Sequence, residues 1–196
     1  MFEQFQVKFF EIFTGANFYQ GKTYLEYIAN PQQNDEDNIV DSKIIEPLLI
    51  QALGFESGNI SKNQTNRESK DNKRPDFQVE LHQSKMRCFL VEDKNTAYDL
   101  SKPEPLRQLS NYARSRGYQL GLVCNGRLLL GWDLSNPNSP NPILHLDIQE
   151  IVETYCGQNL FSQSKTGIEA LITHQIQSLK GLYRRFHRSN CEGIEK

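Results

Sequence analysis

The chain has no long apolar run, and no stretch approaches the length of a membrane span. Its opening segment, Phe2 to Phe13, is interrupted by Glu3, Lys8 and Glu11, so it does not read as a secretory leader. Both absences point to a cytoplasmic protein with no membrane partner. Cysteine is sparse: Cys88, Cys124, Cys156 and Cys191 lie far apart and lack the paired spacing of zinc ligands. Cys88 and Cys124 fall inside apolar strand patterns, where free thiols are ordinarily buried. The four histidines, His82, His145, His174 and His187, have no zinc spacing either. An excess of basic charge is missing too. Lys and Arg total 22 against 24 Asp and Glu, a net charge of -2. Bulk charge therefore gives no support to a nucleic-acid partner, although Arg107, Arg114, Arg116 and the Lys180 to Arg188 stretch offer local basic clusters. No internal repeat, phosphate-binding P-loop or methyltransferase motif is present.

What the chain does contain is enough for one domain with a sizeable core, residues 1–150, followed by a helical extension over 151–196. Apolar spacing predicts helices over Phe2 to Phe13, Tyr19 to Ile28 and about Glu36 to Leu53, with Gly54 stopping the third. Glu56 to Arg74 is polar and without aromatics, a loop with a short strand at its start; the Asn63-Gln64-Thr65 sequon within it carries no weight in a cytoplasmic protein. Phe77, Val79 and Leu81 alternate with polar residues, giving a strand, and Met86 to Glu92 gives a more apolar one after a turn at His82 to Lys85. A helix over Pro103 to Arg116, closed by Gly117, separates these from Gln119 to Cys124, the Asn125-Gly126 hairpin signal and a returning strand to Trp132. A turn over Asn136 to Asn141 leads to an edge strand at Ile143 to Ile148. Helices at Ile151 to Cys156 and Lys165 to Arg188 complete the chain. The order predicts an α/β fold with a mixed central sheet flanked by helices.

Two fragments carry chemistry. Pro75-Asp76-Phe77 opens one strand, and Glu92-Asp93-Lys94 ends the next. Side chains alternate along a strand, so Glu92 and Lys94 share a face and Asp93 takes the other. A turn at His82 to Lys85 can bring Asp76 to Glu92. Two carboxylates so placed can hold Mg²⁺, with Mn²⁺ as a substitute, and a lysine beside them can position a water or stabilise charge on a phosphate. That set suits phosphodiester hydrolysis. The plain alternative is that Asp76 caps a turn and the charged triplet is a solvated strand end.

Pro75-Asp76 followed by Glu92-x-Lys94 resembles the PD-(D/E)xK nuclease superfamily. Gln108-Leu109-Ser110-Asn111-Tyr112 resembles the Q-x-x-x-Y motif that follows the nuclease core in type I restriction-enzyme motor subunits. Gly121 to Gly126 resembles the strand and Asn-Gly turn that come next there. Upstream, Ile44 to Leu49 with Leu53-Gly54-Phe55 is similar to the family's P-L-L-x-x-L-G helix end, with one extra residue between the halves. The resemblance covers about residues 36 to 135. It implies a restriction-endonuclease-like core, Mg²⁺ dependence, DNA as substrate, and other restriction-modification subunits as partners. It also makes Asp76, Glu92 and Lys94 catalytic, with Gln108 and Tyr112 as substrate contacts. Those two stand four residues apart on one helix face, so both can reach one spot; Tyr112 packed in the core is the plain alternative.

A further acid often comes from the early helix in this superfamily. The apolar stripe of that helix runs through Val40, Ile44, Ile45, Leu48 and Ala52. At ~100° per residue Glu46 points away from it, and Asp37 lies near the inward side, with Glu36 and Asp41 close competitors. Asp37 is the expected third metal ligand. The rival reading is a catalytically inactive nuclease-fold domain used for DNA binding or assembly.

Overall fold

The computed structural model describes residues 1–62, 75–136, 141–161 and 173–191. The sequon, most of the expected polar loop, part of the turn at 137–140 and the predicted helical residues before Thr173 lie outside them.

Among the described residues six strands form a single sheet in the order β1 to β6: Ile60–Lys62, Phe77–Leu81, Met86–Asp93, Leu120–Cys124, Leu128–Asp133 and Leu144–Asp147. Neighbours in sequence are neighbours in space. All pair antiparallel except β3 and β4, which run parallel. Two parallel neighbours need a crossover, and helix α3, Glu104–Arg116, supplies it. Gly117 ends α3 in the left-handed conformation (φ +73°), which a side chain would resist. Gly126, at φ +84°, makes the tight β4–β5 turn, and Asn125 secures it by accepting the Arg127 and Leu128 N–H groups.

The alternation of β2 sorts its side chains between two unequal layers. Phe77 and Val79, with Phe89 and Val91 of β3, face a thick layer built from both ends of the chain. Helix α1, Phe2–Phe13, contributes Phe5, Phe9 and Phe13 at i, i+4 spacing, all within 2% of full burial. Fully burying each such side chain contributes about 1.5–3 kcal/mol. Helix α4, Ile148–Phe161, and helix α5, Thr173–Phe186, join the same core. Tyr155 stacks on Phe10 with centroids 4.0 Å apart, and Phe186 meets Phe89 edge-on at 5.1 Å. The boundary expected near residue 150 thus falls inside α4, and residues 173–191 share the core of the sheet. The opposite layer is thin: Leu90, Val123, Leu130 and Trp132 meet α3 through Leu109, Tyr112 and Ala113.

Two helical expectations are corrected. The second helix, α2, begins at Tyr24 rather than Tyr19, because Thr23 and Glu26 form a reciprocal capping box and residues 17–22 turn instead, with Gln20 at φ +51°. The third helix is two segments, Glu36–Ile45 and Leu48–Ala52, wound with i→i+5 hydrogen bonds: Val40 N–H donates to the Asp35 carbonyl at 3.2 Å and Leu53 N–H to that of Leu48 at 2.8 Å. Runs of this winding are rare, and they recur at functional sites. Among the described residues no helix is long and apolar enough to cross a membrane. Cys88, Cys124 and Cys191 are buried, with Cys88 and Cys191 in side-chain contact, and Cys156 is partly exposed.

Candidate functional site

Strand pairing brings the two sequence fragments together. Phe77 pairs with Val91, so the next step of the antiparallel register sets Asp76 across from Glu92. Asp76 Oδ2 accepts the Asp93 backbone N–H at 2.9 Å, which fixes the start of β2 against the end of β3. Lys94 Nζ donates to Glu92 Oε1 at 2.7 Å and to the Asp93 carbonyl at 2.7 Å. Its own N–H continues the parallel ladder to the Cys124 carbonyl at 2.8 Å. Asp76, Glu92 and Lys94 therefore form one cluster at the mouth between β2 and β3.

Glu36 enters from the i→i+5 helix, and Asp37 does not. Carboxylate oxygens of Glu36, Asp76 and Asp93 lie within 4.8 Å of one another, the one such group of three among the described residues. Asp37 is exposed, and Glu46 pairs with Lys62 at 2.7 Å. The reason for the shift is the winding. In an α-helix residues five apart diverge by about 140°. With i→i+5 bonding that divergence narrows, so Glu36 and Asp41 both reach the end of β3. A neighbouring buried acid, Asp35, holds the bend after β3. It accepts the Tyr27 hydroxyl at 2.8 Å, the Thr96 N–H at 2.9 Å and the Thr96 hydroxyl.

The electrostatics follow from burial. Glu92, 4% exposed, is pushed up to about 8 by burial first and by Asp76 second; Lys94 opposes both. Burial and Asp76 also raise Glu36, against the pull of Lys94 and the Asn95 N–H. Burial pulls Lys94 down, but Glu92, Asp76 and Glu36 outweigh it and hold the ammonium charged. Asp93, 1% exposed, is driven far above the carboxylate range by burial and by contact with the carboxyls of Asp41 and Asp76. No donor reaches Glu92 Oε2, Asp93 Oδ2 or Asp41 Oδ1. A buried ionised carboxylate costs several kcal/mol unless something positive meets it.

On the other side, α3 presents Tyr112, 6% exposed, pushed up to about 12 by burial and then by Glu92 and Asp76. Its phenol stays protonated near neutral pH and can donate. Gln108 stands half-buried one turn earlier on the same helix. Arg116 reaches Gln78 on β2 at 2.7 Å, and Arg107 and Arg114 point to solvent.

Asp93 was not part of the expected site, and Asp41 was a competitor of Asp37 for it. Alternation correctly turns Asp93 away from Glu92, but the helix on that face supplies a second acid. The one hint in the chain is an acid within an apolar stretch on each partner: Asp41 between Val40 and Ile44, and Asp93 after Val91. No family model matches the chain, and neither a curated protein nor a solved structure does.

Proposed function

We propose that this chain is a Mg²⁺-dependent nuclease domain that hydrolyses phosphodiester bonds of DNA, with a restriction-endonuclease-like core serving a larger restriction system. The observation that carries the reading is the cluster of Asp76 and Glu92 with the Lys94 ammonium held at 2.7 Å from Glu92. A buried carboxylate with one unpaired oxygen, Glu92 Oε2, fits a hard divalent cation, which takes oxygen ligands. Asp76 and Glu92, placed opposite each other by the strand register, would hold it, with Glu36 close to Asp76. Once bound, such a cation polarises a phosphate oxygen and acidifies a water.

The protein's own groups do the rest. Lys94 is charged, so it acts as a donor rather than a base. It restrains Glu92 and offers positive charge to a phosphate oxygen on which negative charge develops. Tyr112 donates from the α3 side, and Gln108 lies one turn away on the same helix, where both can orient the nucleic-acid backbone. Asp35 keeps the Lys94 to Thr96 bend in place.

The test is nicking of supercoiled DNA with Mg²⁺, Mn²⁺ and EDTA, using the wild type and Lys94→Ala. Cleavage that needs the cation and falls by roughly 10²–10³ in the variant is expected. Binding of DNA without cation-dependent cleavage would replace this reading with that of a catalytically inactive DNA-binding or assembly domain.

A further inference from the structure

We infer that Cys88 and Cys191 are a modification site: a thiol pair that closes to a reversible disulfide on meeting a peroxide, and so fastens the helical turn that carries Cys191 to the strand that ends in Glu92. The pair lies toward the opposite end of β3 from the carboxylate cluster and works whether or not that cluster holds a cation.

Two features of the fold bring the thiols together. The first is a break in the β2–β3 register. Val79 pairs with Phe89 but Glu80 with Arg87, so Cys88 is the extra residue of a β-bulge. Bulges re-aim side chains. Plain alternation would set Cys88 beside Leu90 on the thin face. It joins Phe89 in the thick layer instead, 5% exposed.

The second is the path of the chain after α5. Phe186 meets Phe89 edge-on at 5.1 Å, next to Cys88 in the chain. A single helical turn, α6, Arg188–Cys191, follows. The Arg188 N–H donates to the Leu53 carbonyl at 2.9 Å, and Asn190 Nδ2 to the Tyr183 carbonyl at 2.8 Å. So anchored, α6 carries Cys191 into the same layer, 3% exposed and against the Cys88 side chain. Strand and helix thus hold two sulfurs in contact across about 100 residues of chain. Cys124, by contrast, is sealed within β4, and Cys156 on α4 is partly exposed.

Contact with Cys191, and then burial, drives the Cys88 thiol far above its ordinary range, so it keeps its proton at neutral pH while α6 is docked. The entry point is therefore Cys191. β3 is paired on both sides, by β2 and β4, whereas a single helical turn opens at low cost. Opening exposes Cys191 at an ordinary thiol acidity, and its thiolate attacks the peroxide. The O–O bond breaks; one oxygen becomes the sulfenic acid, and the other leaves as hydroxide, which takes up the thiol proton to give water. When α6 docks again, the Cys88 sulfur attacks that of Cys191. The S–O bond breaks, and the oxygen leaves with the Cys88 proton as a second water. The two thiols have together given two electrons to one peroxide, and a dithiol reverses the change.

Intact-mass measurement and peptide mapping of the full native chain after treatment with hydrogen peroxide decide the matter. A loss of about 2 Da is expected, with Cys88 joined to Cys191 and dithiothreitol restoring both thiols. Thiols counted in denaturant should fall from four to two. Closing a loop of this length should raise the urea midpoint by roughly 1 M over that of the reduced chain. Cys88→Ser should halt Cys191 at the sulfenic acid, trapped by dimedone, and Cys156→Ser should leave the crosslink unchanged. A wild-type chain that is folded by near-ultraviolet circular dichroism, and in which both thiols survive the peroxide, would overturn the inference. So would a sulfinic acid at Cys191 beside an intact Cys88 thiol, or a bond joining two chains through Cys156.

Discussion

The two faces of the sheet are built to different standards. On the thick face Phe77, Val79, Phe89 and Val91 are sealed by helices from both ends of the chain, and Phe89 alone meets the rings of Phe55 and Phe186. On the thin face α3, with Leu100 and Tyr118 beside it, covers Leu90, Val123, Leu130 and Trp132, and the alternating positions are polar. Gln78 takes Arg116, Glu80 takes the Tyr118 hydroxyl at 2.5 Å, and Glu92 takes Lys94. Close packing by many elements leaves a residue no freedom to be anything but apolar. A more thinly covered face can keep polar groups, because other side chains reach them there. The candidate site lies where these two faces meet, at the end of β3.

That contrast can be broken in order of effect. Phe89→Ala should cost about 3–5 kcal/mol, because a side chain at zero exposure, packed against Phe55 and Phe186, leaves a cavity that its neighbours close only in part. Against a total stability of about 5–15 kcal/mol, urea denaturation should show a large fall in midpoint. A loss below about 1 kcal/mol would mean that the thick face is not the main store of stability.

Next comes Asp35→Ala, which strands the Tyr27 hydroxyl and the Thr96 N–H in the interior. Each unsatisfied donor costs about 1–3 kcal/mol, and the bend holding Lys94 should loosen. Stability and Mg²⁺-dependent cleavage should fall together; a fall in stability alone would detach Asp35 from the site.

On the thin face Tyr112→Phe should change stability by only about 1 kcal/mol. It should still lower cleavage by roughly tenfold, as expected for the loss of one hydrogen bond to the substrate. Equal cleavage by the two proteins would assign Tyr112 to packing.

The smallest effect concerns Cys124, wholly buried and pushed up to about 12 by that burial from an ordinary value of 9.0. A raised acid keeps its proton in the fold after the unfolded chain has lost it. Stability is thus untouched below pH 9 and falls above it, by at most about 1.4 kcal/mol per pH unit up to pH 12. Between pH 8 and 10.5 the wild type should lose more stability than Cys124→Ala. A parallel decline in both would assign the alkaline loss to the buried tyrosines instead.

The strands were legible because their signal is local. Phe77, Val79 and Leu81 alternate whatever lies elsewhere, and Asn125-Gly126 makes a tight turn through its own backbone freedom. The α3 span was marked by Pro103 before it and Gly117 after it. The start of α2 was missed because apolar spacing from Tyr19 matches a helix, while the capping pair Thr23 and Glu26 outweighs it. Which early-helix acid stands nearest Asp76 was not legible for a deeper reason. Glu36, Asp37 and Asp41 are equally acidic neighbours, and choosing among them by ~100° per residue presumes a winding that this helix does not have.

Residue chemistry and short-range periodicity thus account for the mixed sheet, its flanking helices and the meeting of Asp76 with Glu92 and Lys94, since strand pairing follows from the pattern of each strand. The i→i+5 winding, the burial of Asp93 against Asp41 and the merging of the last helices into the core follow from packing between segments far apart in the chain. Contacts of that kind appear in no local stretch, because their energy exists only once both partners are in place.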